Sequence, residues 1–307
     1  MPRVENHTSE IVPKLAGLHL FHYDVAPCAQ RVRFVLAEKG VQRGPDMRFD
    51  DVANANCVAP VGTWASRIVS LIKKDHFTDT YARIQPNLVI PALVHDGELY
   101  IESMDIIEYL DGALGGDRMV PDKQDPRSDD VRYLTELGKK LHQSIRYVSY
   151  RWGAGRMGKI TDDQQEKLEC LLENGADGEN LAEFYRTFSN DLIPQDVFDE
   201  HLCALSRGFQ QLETRLQDGR AFLTGDTVTM ADAIWSMKVI RLEEMGYPTG
   251  DLFPAVAEWF DRIAARPSHS VIKSHYRTMR GVFKTRAWIE QKLDTGLPRA
   301  ARELVCA

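Results

Sequence analysis

LHLFHYDVAPCAQRVRFVLAEKGV, Leu18 to Val41, is the stretch whose reading decides this fold. Leu18, Leu20 and His22 share one face of an extended run, which Ala26-Pro27 breaks. After the break Val32, Val35 and Leu36 recur at helical spacing, and Gly40 supplies a C-terminal stop. Cys28 therefore stands where a helix opens. Unpaired N–H groups and the helix dipole favour an anion there, so a thiolate forms more easily than on an isolated cysteine. Arg31 and Arg33 add positive charge about one turn away. The alternative is a small apolar filler, a role cysteine often takes in cores. Position alone leaves both open.

A second stretch, QPNLVIPALVHDGELYIESMDIIEYLD (Gln85 to Asp111), predicts a strand over Leu88 to Ile90, then Pro91, then a strand over Ala92 to Val94. Asp96-Gly97 makes a hairpin turn to Leu99–Ile101. Proline removes a ladder hydrogen bond, so Pro91 marks an edge or a cis turn. Glu102-Ser103 opens a helix whose apolar face is Ile106, Ile107 and Leu110. Ser103 offers a hydroxyl and open N–H groups to a carboxylate. Taken alone, the pair reads first as a plain helix cap. A third stretch, AFLTGDTVTMADAIWSMKVIRLEEMG (Ala221 to Gly246), carries a capping box in which Thr229 caps a buried helix and Asp232 reaches back to it.

Gly115-Gly116 and then Pro121, Asp122, Asp125 and Pro126 form a breaker-rich link, so a domain boundary is expected after Leu114. The expected domains are 15–115 and 125–297. Beyond the link the pattern is helical: Val131, Leu134, Leu137, Leu141 and Ile145; Leu168, Leu171 and Leu172; Phe198 to Leu216; Trp235 to Leu242; Val256 to Ala264, ended by Pro267; and an extra terminal helix over Gly281 to Leu293. The 307 residues, 43% hydrophobic and 27% charged, can build two ordinary cores. Net charge is −7 and no basic stripe interleaves with aromatics, which argues against nucleic acid as a partner. The start, MPRVENHTSEIVPK, lacks the apolar core of a secretory leader. No apolar run approaches the roughly 18 residues that span a bilayer, so no membrane partner is expected. Cys28, Cys57, Cys170, Cys203 and Cys306 are odd in number and scattered, which suits a reducing cytoplasm and gives no metal site.

Strand, turn, helix with a thiol, then Ile-Pro, a hairpin and Glu-Ser at a helix start, resembles the thioredoxin-like domain of glutathione transferases. Ala221 to Gly246 resembles the G-D-x-x-T-x-A-D signature of that family's helical domain. The implied fold is an α/β thioredoxin-like domain, in the order βαβ-α-ββα, followed by an all-α domain. The resemblance also implies roles. Backbone groups of Ile90, before a cis Pro91, would pair with the cysteinyl part of glutathione. Glu102 and Ser103 would take its γ-glutamyl end, and His76 falls where zeta-class relatives bind the glycine end. A homodimer is the family's usual state.

Two departures stand out. The usual N-P-x-G-x-V-P run reads Gln85-Pro86-Asn87-Leu88-Val89-Ile90-Pro91, keeping register but losing asparagine and glycine. Ala26 occupies the position of the omega-class cysteine and of the zeta-class serine, and Tyr23 is the remaining hydroxyl candidate. Cys28 matches the cysteine of zeta-like proteins and of bacterial hydroquinone reductive dehalogenases, where it attacks a glutathione–aromatic conjugate. Ala29 replaces a serine of those relatives. The segment 51–83 is longer than the family norm, and Trp64, Ile68, Leu71 and Ile72 predict an inserted helix. In His142 to Gly158, the side chains of Tyr147, Tyr150, Arg151 and Trp152 either line a pocket for a small hydrophobic or aromatic acceptor or pack against a neighbouring helix or a dimer partner. The implied activity is transfer of glutathione, with glutathione as co-substrate and no metal. A β-etherase-type lyase and a non-catalytic glutathione-binding protein are the alternatives.

Overall fold

The computed structural model describes residues 3–154, 158–173, 180–190, 193–273 and 277–305. The chain runs β1 (Leu18–His22), α1 (Pro27–Glu38), β2 (Gln42–Arg48), β3 (Thr63–Ile68), a single-turn α2 (Asp79–Ala82), β4 (Ala92–His95), β5 (Glu98–Ile101) and α3 (Ser103–Ala113). Helices α4 (Ser128–Lys140), α5 (His142–Ser149), α6 (Asp162–Leu172) and α7 (Leu181–Ser189) follow, with a π-helical turn at Tyr150–Ala154. The rest is α8 (Gln195–Leu216), α9 (Met230–Glu244), α10 (Thr249–Leu252), α11 (Pro254–Ala264), α12 (Pro267–Lys273), α13 (Arg277–Lys292) and α14 (Gly296–Val305). These elements form two compact units. Met1–Asp117 and Lys159–Ser189 make the first, and Arg118–Gly158 and Asn190–Ala307 the second.

The first unit is the α/β thioredoxin-like fold. Its mixed sheet has the order β2-β3-β1-β4-β5. β1 is buried along its whole length, parallel to β3 and antiparallel to β4. β4 and β5 form the hairpin whose turn residues, Asp96 and Gly97, both have positive φ. Pro45 sits in the outer strand β2, where pairing with β3 shifts register between Arg43 and Asp46, as proline at an edge requires. At the far end of α1, Lys39 and Asp111 of α3 make a buried ion pair at 2.7 Å.

Two local expectations are corrected. The segment carrying Trp64 and Ile68 is strand β3, not a helix. Residues 64–67 are buried on both faces, so no period-2 alternation shows in the sequence. Leu88–Ile90 is no strand either: Leu88 has φ 55°, a left-handed conformation incompatible with a ladder, and Ile90-Pro91 is cis.

The second unit is helical. α9 is buried almost all round, which is why its sequence shows little amphipathic contrast. Trp235 on α9 donates through Nε1 to the Leu134 carbonyl at 2.9 Å. At its N-terminus the buried Asp232 carboxylate accepts from the Thr229 N–H at 2.8 Å, the Thr229 hydroxyl at 3.0 Å, the Leu223 N–H at 3.0 Å and Trp259 Nε1 at 2.8 Å. Burial pushes this carboxyl up and the four donors draw it back. Pro267 closes no helix; it opens α12, where its missing N–H costs nothing. α14 has no counterpart in the sequence reading.

Candidate active site

Cys28 is the second residue of α1, half-buried and in no disulfide. Ala26 precedes the helix in extended conformation and its side chain makes no cap hydrogen bond, and the positive end of the helix dipole lies at the thiol. The structure separates the two neighbouring arginines. Arg31 turns its Nη2 to Cys28 Sγ at 3.1 Å and its Nη1 to Met104 Sδ at 3.4 Å. Arg33 instead grips Asp24, through the carboxylate and, at 2.6 Å, the main-chain carbonyl. Arg43 joins the same carboxylate at 2.8 Å and also meets Asp46 at 2.7 Å, so Arg33 is engaged with Asp24. Ala26 and Ala29 lie in the hydrophobic cluster with Phe21, Tyr81 and Ile90. A serine hydroxyl is therefore absent on either side of Cys28, and methyl groups take its place.

Tyr23 packs against that cluster. Burial raises its phenol above the usual range, with Ser70 partly opposing as a hydrogen-bond partner.

Ile90 is buried, and its backbone makes no hydrogen bond among the described residues. The cis bond to Pro91 holds it at the start of β4, and Tyr81 donates its hydroxyl to the preceding Val89 carbonyl at 2.8 Å. Glu102 has φ 64° and is exposed, with Asn87 Nδ2 at 3.4 Å from its Oε1. Ser103 opens α3, and its hydroxyl has no partner among the described residues. Met104, next on α3, is the residue Arg31 touches, so one guanidinium links the first turns of α1 and α3. His76 is buried against Phe77, ring centroids 4.0 Å apart, with Nδ1 unpartnered. Burial first, and Lys74 second, lower its pKa to about 3, so it is a neutral group.

In the second unit, Tyr147 stacks on His201 at 4.3 Å. Tyr150 begins the π-helical turn and is partly buried. Arg151 donates to the Ile193 carbonyl at 3.1 Å and to Gln195, and lies 4.7 Å over the Phe198 ring. Trp152 meets Phe198 edge-on, and Arg286 lies 5.3 Å over the Trp152 ring. Arg151 and Trp152 thus bind the start of α8 and the face of α13.

Residues 20–118 match the model of the glutathione S-transferase N-terminal domain, and residues 195–262 match that of the C-terminal domain. The two matches together take in more than half of the chain. The chain belongs to the glutathione S-transferase family. It is 23% identical to mouse (Mus musculus) glutathione S-transferase theta-1 over 211 residues, covering 66% of this chain and 76% of that one. It is 27% identical over 285 residues to a 2,5-dichlorohydroquinone reductive dechlorinase of Sphingobium indicum, covering 81% and 80%. It is 24% identical over 229 residues to Protein LigF of a Sphingobium species, covering 70% and 87%. The solved structure of that β-etherase superposes with a TM-score of 0.66 over 83% of this chain and 98% of its own. In a family of this kind the Arg31 contact is the feature sequence reading placed only approximately. Spacing put both arginines near the thiol, and the pull of Asp24 on Arg33 was not legible.

Proposed function

We propose that this glutathione S-transferase-family protein is an enzyme that binds glutathione and uses its thiol against a small aromatic electrophile. The observation that carries the reading is Ile90. Its buried backbone, unpaired among the described residues, would offer ladder hydrogen bonds to an extended peptide. Ser103's unpartnered hydroxyl and the α3 N–H groups suit the γ-glutamyl carboxylate, and Glu102's exposed carboxylate suits its amine. The open N-terminus of α1 would then stabilise the glutathione thiolate.

Cys28 would act in a second step. Its sulfur attacks the sulfur of a glutathionyl–aryl conjugate. A Cys28–glutathione disulfide forms, the sulfur–aryl bond breaks, and the electron pair passes to the ring carbon, which takes a proton. A second glutathione thiolate then opens the disulfide, restoring Cys28 and leaving oxidised glutathione. The similarity to the dechlorinase supports this reading. The similarity to LigF supports a second one, in which glutathione displaces a phenolate from carbon and Cys28 takes no part. On the helical side, Tyr147 and Tyr150 are the aromatic faces proposed for the acceptor.

Calorimetric titration tests the binding step. Glutathione should bind at millimolar concentration or below, and Ser103→Ala should weaken it about tenfold, the worth of one charge-assisted hydrogen bond. No heat of binding at millimolar glutathione would overturn the proposal.

A further inference from the structure

Arg31 is 3% exposed, yet it makes no ion pair with any carboxylate among the described residues. Its Nε has no hydrogen-bond partner. Among the described residues its two terminal nitrogens meet only sulfur, Cys28 Sγ at 3.1 Å and Met104 Sδ at 3.4 Å. The other buried guanidiniums of this unit are provided for differently. Arg33 has Asp24, and Arg67 donates to the carbonyls of Phe49, Asp51 and Asn56. A buried cation without an anion is costly, and a thioether and a neutral thiol are poor acceptors. Among the described residues in contact with it, a thiolate at Cys28 is the one partner that would neutralise it.

We infer that Arg31 is the counter-charge of the sulfur at position 28: it stabilises negative charge on Cys28 Sγ and makes Cys28 the reactive thiol of the chain. The inference deepens the proposed second step and rests on that reading for its use. It assigns Arg31 a catalytic role, since its Nη2 touches the reacting atom. The helix N-terminus and the guanidinium act on the same sulfur, so the thinner polar surroundings left by Ala26 and Ala29 are offset by a full charge.

The test uses the whole chain without glutathione. Iodoacetamide is added at pH 6, and peptide mass spectrometry follows alkylation of each cysteine with time. Cys170, exposed and on α6, is the internal reference, and buried Cys57 reports unfolding. Cys28 should react about tenfold or more faster than Cys170, despite its lower exposure, because the rate follows thiolate character. Arg31→Gln should bring Cys28 to the Cys170 rate or below with Cys170 unchanged. Arg31→Lys, which keeps the charge, should fall between. Equal Cys28 and Cys170 rates in the wild type, or a Cys28 rate that Arg31→Gln leaves intact, would overturn the inference. Should Cys57 become labelled in Arg31→Gln, the wild-type ratio and the lysine variant decide. Because no glutathione is present, a failure here is distinct from a failure to bind glutathione.

Discussion

Asp232 shows how a single side chain can hold a domain together. Its carboxylate, with no exposed surface, collects three N–H donors and a hydroxyl from two loops and a helix. Asp232→Ala strands those donors, and urea unfolding should show a loss of about 3 kcal/mol or more. His76 gives a pH signature. An unfolded histidine titrates near 6.5, while His76 in the fold titrates near 3. Above 6.5 both states are neutral and the stability is complete. As pH falls below 6.5 the unfolded chain takes up a proton that the folded chain refuses, so stability drains away down to about 3. His76→Phe removes that loss: between pH 6.5 and about 5 the variant should lose about 2 kcal/mol less than the wild type in parallel urea titrations. A buried neutral imidazole can offer glutathione only a hydrogen bond.

At the scale of elements, close packing is tested at Gly208 of α8. A Cβ there would stand 2.6 Å from Leu141 Cδ1 and 2.9 Å from Trp235 Cη2. Gly208→Ala should therefore cost about 1–3 kcal/mol in thermal or urea unfolding, although alanine is the better helix former. Elements that announce their own ends were legible in the sequence. Ala26-Pro27 and Gly40 bracket α1, Asp96-Gly97 turns the β4–β5 hairpin, and Glu102-Ser103 opens α3. β3 was not legible, because a strand covered on both faces loses its alternation and Trp64–Ile68–Leu71–Ile72 happens to mimic a helical stripe. Leu88–Ile90 misled for the opposite reason: apolar composition suggested a strand, while Leu88's left-handed backbone forbids one. The places of Cys28 at the start of α1 and of Pro91 before β4 were legible. The partnerships of Arg31 and Arg33 depend on Asp24 and Met104, which no local pattern ties to them.

At the scale of the whole molecule, the chain contributes to its first unit twice. After α5 it returns with α6 and α7, and Tyr185 of α7 meets Phe77 edge-on at 5.5 Å with Lys74 at 5.6 Å over its ring. Tyr185→Ala should destabilise that unit by about 3 kcal/mol. Hydrogen exchange of the amides of β1, β3 and β4, all in the first unit, followed by mass spectrometry reads the loss.

The central claim is that glutathione and Cys28 share one reaction. It is tested most directly by mass spectrometry of the wild type and Cys28→Ser after incubation with glutathione and chlorinated hydroquinones, with aryl ethers in parallel. The account predicts a glutathione adduct on Cys28 of the wild type in the presence of a hydroquinone, and product that stalls as the glutathione conjugate in Cys28→Ser. Equal turnover by both proteins with no adduct would contradict it, as would glutathione binding with no turnover of any acceptor.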